Sequence, residues 1–265
     1  MLQKNVTTFH SIQSKIFYHL IFANYFHVIK QTQNELSSLE KSIEIFDSNP
    51  FYKEENPLDY ISVYIRTIDI YKKSDNFTFY SKIEALRKFE NILDFQKRVA
   101  KERIFFHTYQ AEIEYLIYNN NFNECTKVMQ LVSNTLKENK FKLEPYYFIG
   151  MYYQFASIML IDKNLSKCLK YTNTIRNEYK LEDRPKTFIK NEILNLIVHY
   201  ELKNYKLVLH NAQTFTKKYK RVFKTNFIEK NIIQLITLMS ENPYSKNENV
   251  EFKLLYNKIK KKEDL

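Results

Sequence analysis

Glycine is almost absent from this chain, with one residue, Gly150, in 265. Sheets and α/β folds need glycine at turns with positive φ and wherever a backbone approaches a ligand closely. Phosphate-binding loops need it as well, because their backbone N–H groups must wrap around an anion. The shortage of glycine therefore argues against β and α/β folds, and it excludes P-loop, dinucleotide and kinase-type sites.

Cysteine and clustered histidine are also scarce. Two cysteines, Cys125 and Cys168, are too few for a disulfide framework, and we interpret them as small buried packing residues. None of the six histidines stands four residues from another, and no H-E-x-x-H motif occurs. No Ser/His/Asp arrangement has supporting loop chemistry. The sequence therefore predicts no metal, no cofactor and no catalytic residue, and it indicates that the chain is not an enzyme.

Long apolar runs are missing too. The most apolar stretch, 16–29, is too short to span a bilayer and contains His19, Asn24 and His27. The start of the chain, 1–11, has no basic stretch followed by an apolar core, which is the pattern of a secretory signal. We therefore expect no membrane span and a cytoplasmic location.

What the chain does contain is internal repetition. Five segments each place a bulky apolar residue after an asparagine or a polar turn and then continue with apolar residues at three- or four-residue spacing. These anchor residues are 41, 45, 43 and 40 residues apart: Leu36, Phe77, Phe122, Leu165 and Tyr205. We predict that each anchor starts the second helix of a pair. In the last three copies the preceding turn has only about three residues, which forces the two helices to lie antiparallel.

The spacing and the prolines define the helical hairpins. Pro57, Pro145 and Pro185 each stand at the expected first position of a helix, where a missing N–H costs nothing. A single hairpin cannot bury its own apolar stripe, so neighbouring hairpins must stack. We predict an all-α fold: an α-solenoid of about five to six antiparallel helix hairpins forming one helical-repeat domain over 1–265. Its hairpins span roughly 9–48, 57–95, 101–138, 145–179, 185–220 and 225–262.

The pattern of helix, asparagine, aromatic residue, small residue and helix over 145–219 resembles tetratricopeptide-type repeats. In that family a small residue packs against the first helix where Cys125, Cys168 and Val208 stand here. The period is longer than the family's. The glycine of its first helix is replaced by Ile113, Ala156 and Leu196. The resemblance implies a TPR-like superhelix that serves as a scaffold for other proteins.

We therefore expect a protein-interaction scaffold or adaptor that binds a peptide or helix in a concave groove lined by the first helices. The register of the repeat predicts which side chains line that groove: His107, Gln110, Glu114, Tyr153, Ser157, Lys190 and Tyr200.

The net charge of +11 supports an alternative. Residues 201–265 carry 14 basic and 7 acidic side chains, so the excess lies toward the C-terminal end. A basic patch that could contact phosphates is formed there by Lys217, Lys218, Lys220, Arg221 and Lys224. The alternative function is therefore a nucleic-acid-associated or regulatory helical protein. A solvated helix end, or a general bias toward lysine, explains the same pattern without a partner.

Overall fold

The computed structural model describes residues 11–73, 76–138, 141–219 and 227–241, together with 243, 253, 254 and 257. Within those residues the chain is helical and contains no strand, which confirms the predicted all-α class. The helices are α1 (Ile12–Val28), α2 (Thr32–Asp47), α3 (Pro50–Glu55), α4 (Pro57–Tyr71), α5 (Asn76–Ile92), α6 (Arg98–Tyr118), α7 (Phe122–Glu138), α8 (Pro145–Ile161), α9 (Leu165–Glu178), α10 (Pro185–Glu201), α11 (Tyr205–Lys218) and α12 (Phe227–Glu241).

The chain divides into two compact units, Met1–Leu143 and Glu144–Leu265. In unit 1, successive long helices pack on one another from α1 and α2 through α6 and α7, and α4 also contacts α6. In unit 2, α8 to α12 pack in succession, and α10 contacts both α8 and α12. Contacts between consecutive helices and between every second helix are what stacked hairpins produce, so each unit is compatible with a helical repeat.

The predicted helix starts agree closely with the structure. Prolines open α4, α8 and α10 as expected. The anchors Phe122, Leu165 and Tyr205 are the first residues of α7, α9 and α11. Leu36 is an exception, because α2 begins four residues earlier at Thr32. Pro50 also opens the short helix α3, which lies between the first two predicted hairpins.

Four of the hairpin turns share one backbone conformation. Lys30, Asn120, Lys163 and Lys203 each stand in the middle of a three-residue turn with φ of 59°, 57°, 56° and 61°. In the α8–α9 turn the Asn164 N–H donates to the Met159 carbonyl at 2.8 Å, and the Lys163 N–H donates to the Leu160 carbonyl at 3.0 Å. This is the Schellman pattern, which usually has glycine at the left-handed position. The glycine-poor chain uses lysine or asparagine there instead.

The small repeat residues pack where the sequence predicted. Cys168 Sγ donates to the Ala156 carbonyl at 3.1 Å, and Cys125 Sγ lies 3.9 Å from the Ile113 carbonyl. In both hairpins the cysteine follows its partner by 12 residues and is fully buried. Because the cysteine side chain is small, the two helices of each hairpin can approach closely at this position. The interpretation of both cysteines as buried packing residues is confirmed.

The last predicted hairpin, 225–262, is described only in part. Helix α12 supplies its first helix, and residues 253, 254 and 257 are helical. The remainder of the predicted terminal helix lies outside the described residues.

Candidate interaction surfaces

Helix α1 carries an unusually apolar exposed face. Four large apolar residues lie on it and a fifth, Ile29, directly follows the helix; the exposed fractions are 51% for Phe17, 67% for Ile21, 56% for Tyr25, 77% for Val28 and 40% for Ile29. Four of these recur every three or four residues, so they form one stripe along a helix of roughly 25 Å. We call these five residues the α1 surface.

A row of aromatic rings beside the α1 surface widens the apolar face of this helix. Tyr18, Phe22 and Phe26 form a half-buried row on the same helix, with ring centroids 4.8 and 6.1 Å apart. The opposite side of α1 packs on α2 through Ile16 and Ala23, which are buried. The α1 surface offers about 500 Å² of apolar area, since large apolar side chains present on the order of 150–250 Å² each. Monomeric proteins rarely expose a larger apolar patch, and patches of this size are often functional.

A polar cluster lies beside α1 in unit 1. Arg66 donates to Glu35 at 2.9 Å and to Asn24 at 2.8 Å, and His27 lies 3.0 Å from the second oxygen of the same Glu35 carboxylate. Glu35 is nearly buried, so its charge needs these partners. Arg66 and Asn24 also line a cavity of about 150 Å³ between α1 and α4. The carboxylate is engaged by its neighbours, and the cluster positions α1 against α4.

Three predicted groove residues lie on α6 in unit 1. Gln110 is buried, so its side chain is not accessible to a binding protein. Glu114 is exposed and accepts from Lys72 Nζ at 2.6 Å. His107 is half-buried. Of these three, Glu114 is the most accessible to a partner.

The other four predicted groove residues lie on α8 and α10, which pack against each other in unit 2. Tyr153 and Ser157 are half-buried, and the Ser157 hydroxyl donates to the Tyr153 carbonyl at 2.9 Å. Burial raises the pKa of Tyr153. Lys190 is exposed, while Tyr200 is half-buried against Tyr205 with ring centroids 5.5 Å apart. Unit 2 thus brings a tyrosine, a serine and a lysine to neighbouring first helices.

A buried polar network between α9 and α10 was not predicted from the sequence. Asn195 donates to the Thr172 hydroxyl at 3.0 Å and accepts from Arg176 at 3.0 Å. Arg176 also pairs with Glu192 at 2.9 Å, and burial raises the pKa of this carboxyl even though Arg176 opposes the shift. Asn191 donates to the Thr172 carbonyl at 3.1 Å. These polar side chains join α9 to α10. The one sequence signal for this network was the presence of asparagine within a helix whose other residues follow an apolar period.

The described residues contain no cluster of potential metal ligands. No group of three His, Cys, Asp or Glu side chains there is close enough to hold a metal ion. Burial raises the pKa of the Cys168 thiol to about 11, so this thiol is a poor nucleophile at neutral pH.

The predicted basic patch is only partly described. Lys217 and Lys218 lie exposed in the last turn of α11, where cations favour the helix dipole. Lys220, Arg221 and Lys224 lie outside the described residues.

Comparisons with known proteins give no match: no family model, no curated protein and no solved structure is similar to this chain. Among the helices of the described residues, none combines the length and the apolar character needed to cross a membrane.

Proposed function

We propose that this chain is a non-enzymatic interaction scaffold that binds a helix or peptide of a protein partner. The observation that carries this proposal is the α1 surface, an exposed apolar stripe on one rigid helix. A partner helix that presents apolar residues at three- and four-residue spacing is complementary to such a stripe. The cytoplasm is the proposed location, on the sequence grounds given above.

The apolar area of the α1 surface supports binding in this proposal. Covering about 500 Å² of apolar area contributes about 12 kcal/mol at about 25 cal/mol per Å². Association costs about 4–15 kcal/mol in lost translational and rotational freedom. The apolar contribution is therefore of the same order as the association cost, and polar contacts at the rim would set affinity and specificity.

The predicted groove residues supply a second contact region in this proposal. In unit 2, Lys190 is exposed on α10, and Tyr153 and Ser157 lie on the neighbouring helix α8. The resemblance to tetratricopeptide-type repeats favours the first helices as the binding face. Tyrosine suits such a face because it combines apolar area with a hydrogen-bonding hydroxyl.

Site-specific photo-crosslinking in the native cell tests the α1 surface. A photoreactive amino acid replaces Tyr25, and we expect it to capture one specific protein. Adding Ile21→Glu should abolish this product, because a carboxylate within an apolar interface loses its hydration. The matched control is the same amino acid at Tyr118, an isolated exposed tyrosine on α6. Equal products from Tyr25 and Tyr118, or none from Tyr25, would contradict the proposal.

The groove residues need a separate variant. Lys190→Glu reverses an exposed charge on α10, and Lys127→Glu makes the same change on the second helix α7. We expect the first variant, and not the second, to weaken binding to the captured partner in a titration with purified proteins. If both variants bind like the wild type, the groove prediction is wrong while the α1 surface still stands.

A further inference from the structure

Charge in unit 2 is unevenly distributed between the first helices of its hairpins, α8 and α10, and the second helices, α9 and α11. The first helix α8 has no charged residue, and α10 has two lysines and two glutamates. The second helix α11, with its flanking turns from Leu202 to Tyr219, has four lysines and no acidic residue. Residues 162–180, which contain α9, have five basic and two acidic side chains. Burial of α8 accounts for its lack of charged residues, so the basic excess that is left to explain is that of α9 and α11.

The lysines of α9 and α11 gather at one end of unit 2. Both helices pack against α10. Helix α11 runs antiparallel to α10 because a three-residue turn joins them. Helix α9 also runs antiparallel to α10, since Thr172 contacts Asn195 and the later residue Arg176 contacts the earlier residue Glu192. The N-terminal halves of α9 and α11 therefore lie at the same end. Six exposed basic or titratable side chains lie on these halves and their turns, and we call them the lysine surface: Lys163, Lys167, Lys170, Lys203, Lys206 and His210.

The five lysines of this surface are not neutralised. None of them forms an ion pair with an acidic side chain in the part of the chain that the structure describes. The ion pair found among the described residues of unit 2 joins Arg176 to Glu192. Asp162 and Glu201 stand at the same end, and the five lysines outnumber these two acidic residues.

We propose that the lysine surface binds the phosphate backbone of a nucleic acid. This goes beyond the proposed scaffold function and uses a different unit of the chain. Lys167 and Lys170 lie about 4.5 Å apart along the axis of α9, at a rise of about 1.5 Å per residue, and Lys163 lies in the turn that precedes this helix. Such a row meets several phosphates of one strand, which are spaced by about 3.4 Å along the axis of a duplex.

The neighbouring polar groups also suit phosphate. Ser166 and Asn204 are exposed beside these lysines, and hydroxyl and amide groups donate to phosphate oxygens as lysine does. The contacts involve the backbone alone, so binding is independent of base sequence. The sequence located a basic patch at 217–224, of which Lys217 and Lys218 are described, whereas the lysine surface lies at the opposite end of α11.

The test measures binding of labelled 20-nucleotide DNA and RNA to the full chain by fluorescence anisotropy at several salt concentrations. The variant combines Lys163→Asn, Lys167→Gln, Lys203→Asn and Lys206→Gln. Asparagine is chosen for the two turn positions because Asn120 adopts the same left-handed conformation in an equivalent turn. Each lost phosphate contact lowers the slope of log K against log salt by about 0.7–0.9, so we expect a decrease of about 3 and at least about tenfold weaker binding.

The control removes the same charge from exposed lysines of unit 1, with Lys15→Gln, Lys30→Asn, Lys127→Gln and Lys137→Gln. We expect this control to retain most of the salt slope. Far-UV circular dichroism of both variants should match the wild type. The proposal is overturned if the slope is unchanged in the unit 2 variant, or if both variants lose it equally. It is also overturned if the wild type binds phosphatidylserine vesicles and no oligonucleotide. None of these outcomes affects crosslinking at Tyr25.

Discussion

The lysines in left-handed turns allow a direct test of the hairpin geometry. Lys163 and Lys203 have φ of 56° and 61°, where a residue with a Cβ atom crowds its own carbonyl. That conformation costs about 1–2 kcal/mol for residues other than glycine. Glycine removes this cost, but its greater freedom in the unfolded chain offsets about 0.4–1 kcal/mol. We therefore expect Lys163→Gly and Lys203→Gly each to stabilise the protein by about 0.5–1 kcal/mol.

The two turns share no hydrogen-bond partner, so their effects should add. The double variant should gain about 1–2 kcal/mol, which corresponds to a rise in Tm of about 2–6 °C for a chain of this size. Urea unfolding followed by far-UV circular dichroism measures the gain, and the dependence on urea concentration should be unchanged.

Lys170→Gly is the matched control. Lys170 is exposed in the interior of α9, where glycine costs about 1 kcal/mol, so this variant should be less stable than the wild type. Asn120→Gly should gain less than either lysine variant, since asparagine tolerates the left-handed region. If Lys163→Gly destabilises the chain as much as Lys170→Gly, the reasoning about the turn is refuted.

Three further predictions concern buried groups. Asn195→Ala should destabilise the protein by about 2–3 kcal/mol, because it removes the side-chain hydrogen bonds to Thr172 and Arg176 within a buried network. Asn191→Ala should cost less, since the Asn191 side-chain oxygen accepts no hydrogen bond among the described residues; urea midpoints rank the two. Burial raises the pKa of Glu90, so its ionised form is disfavoured in the folded state at neutral pH. Glu90→Gln should therefore raise Tm at pH 7, and this gain should disappear as the pH falls below about 4.3, where the carboxyl is protonated in both states. Cys168, fully buried and with its pKa raised to about 11, should resist a thiol reagent at pH 8 until urea unfolds the chain.

Each of these three predictions has an outcome that would contradict it. Equal urea midpoints for the two asparagine variants would show that the hydrogen bonds of Asn195 contribute no more stability than those of Asn191. A pH-independent Tm difference for Glu90→Gln would show that the carboxyl is not titrated differently on folding. Rapid labelling of Cys168 in the folded protein would show that this helix pair opens readily.

Much of the helical organisation followed from local sequence signals. Helix α8 begins at Pro145 as predicted, because a proline opens it and an unbroken apolar pattern fills it. Helix α10 likewise begins at Pro185, and α11 begins at the predicted anchor Tyr205. Helix α3 was missed, since six residues are too few for an apolar period to show. The left-handed lysines were missed because that conformation usually indicates glycine or asparagine.

The candidate surfaces could not be predicted in the same way. Phe17 and Phe22 look equivalent within an apolar stretch, yet Phe17 is mostly exposed and Phe22 is half-buried. Likewise, Gln110 was expected to face a groove and is buried. Which face of a helix is covered depends on neighbouring helices from other parts of the chain, and these are absent from any local pattern.

The sequence by itself determined that this protein is helical, where its helices begin and turn, and which small residues lie between them. Those features depend on hydrogen bonds and contacts between residues close in the chain. Only the tertiary structure decided that one face of α1 remains uncovered, that Asn195 joins a buried network, and that the lysines of α9 and α11 meet at one end of unit 2. Burial and clustering of charge are properties of packed helices, because they depend on residues that folding brings together.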